Sequence, residues 1–275
     1  MPSGTVLVTG ASSGIGHVTA LHLAELGFDA VGAVRKDEDA ERLRAEGLRA
    51  VQLDVTDAST IAAAREALGD APLAGLVNNA GIGVAAPLEF LPLDRFRHQL
   101  EVNLVGQLAV TQAFLPSLRA ARGRIVNVSS IGGRVALPLL GAYNASKFGL
   151  EGASDSLRRE LRGHGVDVIV IEPGGVKTRI WDTSNRLADE ILAELPPEAE
   201  RLYGRTIEAV RKQTVRIETE SGIEPRVVAE AIGEALTSSR PRARYLVGRD
   251  AKLRVRLAAV LPARVMDRLI GRAIG

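Results

Sequence analysis

The sequence predicts a doubly wound α/β fold, in which helices cover both faces of one parallel sheet of about seven strands. Short runs rich in β-branched residues alternate with longer helical patterns along the 275 residues, as βαβ units require. The short runs show little polar alternation, which is typical of strands that are buried on both faces. No internal repeat and no linker-like stretch interrupts the pattern, so we expect one domain over residues 1–275.

The elements follow from these patterns in chain order. The predicted strands are TVLVT at 5–9, AVGAV at 30–34, AVQL at 50–53, GLVN at 75–78, RIVNV at 124–128, VDVIVI at 166–171 and RYLV at 244–247. Apolar residues at helical spacing predict helices at 14–26, 60–68, 93–119 and 143–161. Two segments depart from the alternation: a mostly helical insertion at 177–222, interpreted as a substrate lid, and an amphipathic tail at 251–275.

The composition is that of a globular protein, and it excludes several classes of function. The 35 basic and 33 acidic residues nearly cancel, which gives no reason to expect a nucleic-acid partner. The lack of cysteine excludes disulfides, thiolate catalysis and Cys-ligated zinc, and the four scattered histidines predict no metal site. The sequence shows neither a signal-peptide pattern nor an apolar run of the ~20 residues that span a bilayer, so we expect a cytoplasmic protein.

A glycine-rich turn follows the first predicted strand. In TGASSGIGHV, Gly10, Gly14 and Gly16 stand where the strand ends and an apolar helix begins. A dinucleotide pyrophosphate requires a tight turn, close backbone approach and a helix N-terminus, and glycine supplies the first two. A purely structural turn is the alternative. The strand before and the helix after favour a Rossmann-type dinucleotide site.

The end of the second predicted strand bears on the choice of cofactor. Enzymes that use NAD usually place an acidic residue there, on the 2′-hydroxyl of the adenosine ribose. This chain has Arg35 and Lys36 instead, whose positive charges suit the 2′-phosphate of NADP. The acidic run 37–39 follows at once and offers these cations a different partner. We therefore favour NADP(H), with NAD(H) as the alternative.

The stretch SSIGGRVALPLLGAYNASK (129–147) holds a candidate acid–base group. Tyr143 and Lys147 are four residues apart, so they share one face of a helix. The pKa of a free tyrosine lies near ~10, and a solvated lysine contributes too little to bring it to neutrality. A buried lysine beside an oxidised nicotinamide would favour the phenolate. Ser130 ends a predicted strand, where it can bond a substrate oxygen or simply cap the strand.

Several motifs, in this order, resemble those of the short-chain dehydrogenase/reductase family over nearly the whole chain. The matching segments are TGASSGIG at 9–16, LDVTD at 53–57, NNAG at 78–81, VNLVG at 102–106, YNASK at 143–147 and EPGGVKT at 172–178. The resemblance implies a catalytic tetrad of Asn103, Ser130, Tyr143 and Lys147, with Tyr143 as general acid/base. It also implies that Lys147 lowers the tyrosine pKa and holds the nicotinamide ribose, and that Asn103 supports a proton-relay water.

The same resemblance assigns a cofactor site, in which Asp54 faces adenine and Thr178 faces the carboxamide. The residues predicted to bind the cofactor, from these motifs and from the strand end at 34, are Gly10, Ser12, Ser13, Gly14, Ile15, Gly16, Arg35, Lys36, Asp54, Val55, Asn79, Ala80, Gly81, Tyr143, Lys147, Pro173, Gly174, Val176 and Thr178. A nicotinamide placed in this way exchanges hydride with a secondary alcohol or a carbonyl.

The substrate is expected to be a lipophilic alcohol or ketone. The residues expected around it are mostly apolar: Val135, Leu137, Leu139, Leu140, Ile180, Trp181 and Tyr203. The chain also resembles steroid- and retinoid-type members of the family, although the same residues could simply pack the lid. Two alternatives are an NAD(H)-dependent dehydrogenase of smaller alcohols and a non-catalytic cofactor-sensing protein, which would not need Tyr143.

The tail and the central helices suggest further contacts. Basic residues interleave with apolar ones from 251 onward, a pattern that suits either an anionic membrane surface or packing against the rest of the protein. We favour packing. The apolar central helical pattern at 93–119 permits the homodimer or homotetramer that similar family members form.

Overall fold

The structure, a computed structural model, describes residues 3–178 and 180–274. Its seven strands are β1 (Thr5–Thr9), β2 (Asp29–Val34), β3 (Arg49–Gln52), β4 (Leu73–Asn78), β5 (Arg124–Val128), β6 (Asp167–Pro173) and β7 (Arg244–Val247). They form one parallel sheet in the order β3-β2-β1-β4-β5-β6-β7. The predicted α/β class and the seven-stranded parallel sheet are confirmed.

Helices lie on both faces of this sheet. They are α1 (Gly14–Glu25), α2 (Asp37–Ala45), α3 (Ala58–Leu68), α4 (Leu93–Leu100), α5 (Gly106–Ala121), α6 (Gly141–Leu161), α7 (Ile180–Glu194), α8 (Pro197–Arg216), α9 (Pro225–Thr237), α10 (Arg249–Val260) and α11 (Ala263–Ile274). Each face has its own apolar core. Leu23 and Ile232 belong to the core under α1 and α9, whereas Ile61 and Phe114 belong to the core under α3 and α5. Burial on both faces explains why the strands lack polar alternation.

The helical segment predicted at 93–119 is confirmed, but it is not α-helical throughout. Helix α4 ends at Leu100, a π-helical turn spans Glu101–Val105, and α5 begins at Gly106. The extra residue of a π turn lets the fully buried Asn103 reach the backbone of Ile82. The spacing of apolar residues could not predict this π turn, because the sequence on either side of it has the same helical pattern.

The insertion at 177–222 is helical, as expected, and consists of α7, α8 and a π turn at Ile217–Ser221. A bridge between Val176 and Ile223 joins its two ends. The hydroxyl of Tyr203 donates a hydrogen bond to Glu89 at 2.7 Å, which ties α8 to the loop before α4. The tail forms α10 and α11, separated at Pro262. None of the helices in the described ranges is long and apolar enough to cross a membrane.

Candidate active site

A cavity of about 1040 Å³ opens at the carboxyl edge of the sheet. Residues that follow β1, β2, β4, β5 and β6 all line it. The strands β1 and β4 are neighbours in the sheet, and the chain runs outward from them in opposite directions. A parallel sheet binds its ligands at such a switch point, because the loops diverge there and leave a crevice.

The glycine turn forms one wall of this cavity. Gly10 and Gly14 have φ values of +67° and +56°, which side-chain-bearing residues rarely adopt. A Cβ on Gly10 would lie 2.8 Å from Cα of Ala80, so β1 and the loop after β4 could not approach as they do. Gly16 instead packs against the Gly10 carbonyl and the Asn79 amide, and it does not line the cavity. This cradle fits a pyrophosphate, with the N-terminus of α1 directed at it.

Most of the residues predicted to bind the cofactor line the cavity. They are Gly10, Ser12, Ser13, Gly14, Ile15, Arg35, Asp54, Val55, Asn79, Ala80, Gly81, Tyr143, Pro173, Gly174, Val176 and Thr178. Gly16, Lys36 and Lys147 are not among the lining residues. Lys36 is exposed at the start of α2, and Lys147 is buried behind the wall on α6. Of the two cations after β2, the structure therefore brings only Arg35 to the cavity.

Tyr143, Ser130 and Lys147 meet where β5 and α6 approach each other. Tyr143 and Ser130 both line the cavity. Ser130 accepts a hydrogen bond from the backbone N–H of Gly132 at 3.0 Å. The ammonium of Lys147 lies 5.8 Å from the centre of the Tyr143 ring and donates to the Val128 carbonyl at 2.9 Å. Tyr143 and Ser130 therefore lie on the cavity wall, with Lys147 buried behind them.

Burial sets the pKa values of this pair. It raises the pKa of Tyr143 above its ordinary value, and a hydrogen bond with Ser130 acts in the opposite direction. Burial also lowers the pKa of Lys147 to about 8. For Tyr143, the effect of burial on the pKa is larger than the effect of the hydrogen bond with Ser130, so the pKa is raised overall. The lowering of its pKa that the family resemblance implies stays a prediction for the enzyme with cofactor bound.

Buried amides stiffen the loop after β4. The side chain of Asn103 accepts from the Ile82 N–H and donates to the Ile82 carbonyl, both at 2.9 Å, and donates to Ser146 at 3.1 Å. Gln99 donates to the same carbonyl at 2.8 Å and accepts from the Val84 N–H at 2.8 Å. Asn103 does not line the cavity. Sequence reasoning missed Gln99, which no motif marked.

A buried ionic cluster lies behind the Ser130 loop. Glu172, at the end of β6, is fully buried and pairs with Arg134 at 3.0 Å and with Arg244 at 2.8 Å. Arg244 also pairs with Asp155 at 2.8 Å and with Glu151, both on α6. Burial raises the pKa of Glu172, and Arg134 acts against that shift. The cluster joins β6, β7, α6 and the turn after Ser130, which are the elements that carry the site.

Apolar side chains form the part of the cavity beyond Tyr143, here called the substrate end. Leu137, Leu139 and Leu140 line it as predicted, and Ala188, Leu192, Ile207 and Val210 from the insertion face them. Val135 is buried and Tyr203 bonds to Glu89, so neither lines the cavity, contrary to expectation. The side chains of Ile180 and Trp181 lie outside the described part of the chain.

Leu139 holds an unusual backbone conformation at the substrate end. Its φ is +64°, in the left-handed region that a leucine rarely adopts. Its carbonyl accepts a hydrogen bond from the Ala86 N–H at 2.9 Å, which joins the loops after β5 and β4 across the cavity. Such strain persists only where surrounding contacts enforce it, and it is often found at binding sites.

One basic residue near the glycine turn was not anticipated. Arg42, on α2, donates to the Ser12 carbonyl at 2.5 Å and pairs with Asp39 at 3.0 Å. The charged sequence of α2 carries little apolar periodicity, so the helix itself was missed. The contact could have been predicted only from the expectation that a helix after β2 packs beside the glycine turn that follows β1.

Comparison with known proteins assigns the family. Residues 4–188 match the short chain dehydrogenase family. The chain therefore belongs to the short-chain dehydrogenases, as the motifs indicated, and it is an oxidoreductase that acts on CH–OH groups.

Individual relatives lie close in sequence. Retinol dehydrogenase 16 of Homo sapiens is 40% identical over 276 residues, which cover 96% of this chain and 87% of that protein. Dehydrogenase/reductase SDR family member 9 of Bos taurus is 38% identical over 277 residues, with 96% and 86% covered. Both alignments span nearly the whole of this chain.

A solved short chain dehydrogenase/reductase from Burkholderia phymatum, in complex with NAD, has a TM-score of 0.78 at 26% identity, covering 93% of this chain and 92% of that one. A Burkholderia cenocepacia short chain dehydrogenase in complex with NADP has a TM-score of 0.74 at 27% identity, covering 97% and 96%. These structures support a nicotinamide cofactor here and do not distinguish NAD from NADP.

Proposed function

We propose that this protein is an NADP(H)-dependent oxidoreductase that interconverts a secondary alcohol and a carbonyl on a lipophilic, steroid- or retinoid-like substrate, with Tyr143 as general acid/base. One observation carries the proposal. Tyr143 lines the cavity beside Ser130, between the glycine cradle and an apolar substrate end, with Lys147 one helical turn behind it.

The side chains have distinct parts in the reaction. The Tyr143 hydroxyl gives its proton to the oxygen of a ketone as that oxygen gains negative charge, and takes it back in the reverse direction. Ser130 donates a hydrogen bond to the same oxygen and stabilises the developing charge. Lys147 stabilises the phenolate that Tyr143 becomes. When bound, the nicotinamide donates or accepts the hydride, and in its oxidised form its positive charge also favours the phenolate.

The preference for NADP(H) rests on Arg35. Arg35 lines the cavity directly after β2 and has no ionic partner among the described residues. In the acidic run that follows, Asp39 pairs with Arg42, and no ion pair joins Arg35 to Asp37 or Glu38 in the described part of the chain. Arg42 also donates to the Ser12 carbonyl, so Arg35 is the cation that faces the region expected to hold the adenosine ribose. A phosphate dianion is the group that such an arrangement favours.

The preference for a lipophilic substrate rests on the substrate end of the cavity. Leucine, isoleucine, valine and alanine side chains from three separate segments line it. An apolar wall favours a substrate with large apolar area. The names of several relatives identify them as retinol dehydrogenases, which supports a retinoid- or steroid-like substrate for this chain as well.

The substrate class can be tested by following absorbance of the reduced nicotinamide. We expect NADPH oxidation with retinoid, steroid and long-chain ketones or aldehydes, at a kcat/KM roughly 100-fold above that for acetone, because each buried CH2 contributes ~0.8 kcal/mol. Equal kcat/KM values for bulky and small carbonyls would contradict the assignment of the substrate end. Activity with neither class would overturn the proposed function.

The cofactor preference can be tested with Arg35→Asp. This change removes the cation at the ribose end of the cavity and adds a charge that repels a phosphate. The Kd of NADPH, measured by titration calorimetry, should rise by about 30- to 100-fold, and the Kd of NADH should change by less than about threefold. Arg65→Asp, on the exposed face of α3, makes the same change in charge and should leave both values unchanged. An equal loss of affinity for NADPH and NADH would show that Arg35 does not determine the preference between them.

A further inference from the structure

Five charged residues from two helices line the cavity. Arg211, Lys212 and Arg216 reach it from α8, and Asp250 and Arg254 reach it from α10. Helix α10 follows β7, at the opposite edge of the sheet from β2 and Arg35. It packs against the turn Ile131–Gly133, directly after Ser130. The two charged residues on α10 therefore lie on the side of the site that carries Ser130.

All but one of these charged groups already have a partner within the protein. Lys212 pairs with Glu208 at 2.6 Å and Arg216 with Glu220 at 3.5 Å. Arg211 pairs with Asp189, and Asp250 accepts a hydrogen bond from the Gly175 N–H at 3.5 Å. Arg254 has neither an ion pair nor a side-chain hydrogen bond to any residue in the described ranges.

The position of Arg254 is set by its neighbours on α10. Ala251 is fully buried and Val255 is 8% exposed, so the face that carries them is anchored against the protein. Asp250, one turn before Arg254, is fixed at the segment Gly174–Gly175. Arg254 is partly buried between these anchors and faces the cavity. A partly desolvated guanidinium with no internal partner favours an anionic ligand.

The geometry points to a carboxylate on the substrate, at the end remote from the reacting carbon, as the partner of Arg254. The substrate class is then an amphiphile: an apolar body that carries the alcohol or ketone, and one acidic end at the mouth of the cavity. A guanidinium binds a carboxylate through two parallel hydrogen bonds, which suits this role better than an ammonium would. This inference rests on the proposed function and adds a recognition group to it.

The test compares acids with their neutral esters. Long-chain keto acids, with the ketone at several distances from the carboxylate, are assayed with NADPH beside their methyl esters. For at least one chain length, wild-type protein should show a kcat/KM about tenfold or more higher for the acid than for the ester. Arg254→Gln should abolish this difference by raising KM for the acid, and should change kcat/KM for the ester by less than about twofold.

A matched variant and a binding measurement separate the outcomes. Arg256→Gln removes the same charge from an exposed position of α10 and should leave the acid preference intact. The Kd of NADPH is measured for each variant, and a tenfold rise confined to Arg254→Gln would show that Arg254 binds the cofactor, which overturns the inference. Good turnover of esters with no preference for acids would also overturn it while leaving the proposed function standing. Failure of both acids and esters, together with retinoid and steroid carbonyls, would instead refute the proposed function.

Discussion

Tyr143→Phe should lower kcat for ketone reduction by about a thousandfold or more, while the Kd of NADPH changes by less than about twofold. The substitution removes one oxygen from a partly buried side chain on the wall of the cavity and leaves the ring in place. In the proposed mechanism the Tyr143 hydroxyl is the group that delivers the proton to the substrate oxygen. The loss should therefore fall on kcat, because the proton transfer occurs in the transition state.

The measurement is steady-state NADPH oxidation with a bulky ketone, combined with calorimetric titration of NADPH. Tyr245→Phe is the control, because it removes a hydroxyl from a buried tyrosine on β7 that bonds to the Arg242 N–H. That variant should retain turnover near the wild-type value. Normal turnover by Tyr143→Phe would exclude Tyr143 as the general acid/base, and loss of NADPH binding would point to a structural role.

Arg244→Met should lower the free energy of unfolding by about 3–5 kcal/mol at neutral pH. The substitution leaves the carboxylates of Glu151 and Glu172 buried, and among the described residues Glu172 retains only Arg134 as an ionic partner. A buried charge that loses its partner costs much more than an exposed one. Arg65→Met, which breaks an exposed pair with Asp70 at 3.7 Å, should cost less than about 0.5 kcal/mol.

Urea unfolding at pH 7.5 and pH 5.5 tests the physical cause. Burial already raises the pKa of Glu172, and loss of Arg244 should raise it further. An acid whose pKa is higher in the folded state binds more protons there than in the unfolded chain, so the folded state gains stability as the pH falls. The loss of unfolding free energy caused by Arg244→Met should therefore be smaller at pH 5.5 than at pH 7.5. A deficit that is the same at both pH values would implicate lost packing instead of unpaired charge.

Strands, the glycine turn and the Tyr–Lys pair could all be predicted from the sequence, because each is a local pattern. Buried strands are apolar runs, a glycine with positive φ stands where the chain turns, and residues four apart share a helix face whatever surrounds them. The strand predictions at 5–9, 124–128 and 244–247 coincide with β1, β5 and β7. Sixteen of the nineteen residues predicted to bind the cofactor line one cavity, because the carboxyl ends of parallel strands meet at one edge.

Only the tertiary structure decided which side chains face the cavity. Arg35 and Lys36 are adjacent in the connection between β2 and α2, yet only Arg35 faces the cavity, whereas Lys36 is the N-cap of α2. The π turn that places Asn103 on Ile82 depends on how α4 docks against the loop after β4. Arg42 and Arg254 lie on helices whose own sequences carry no sign of the cavity. Their positions depend on the packing of elements far apart in the chain, which local periodicity does not encode.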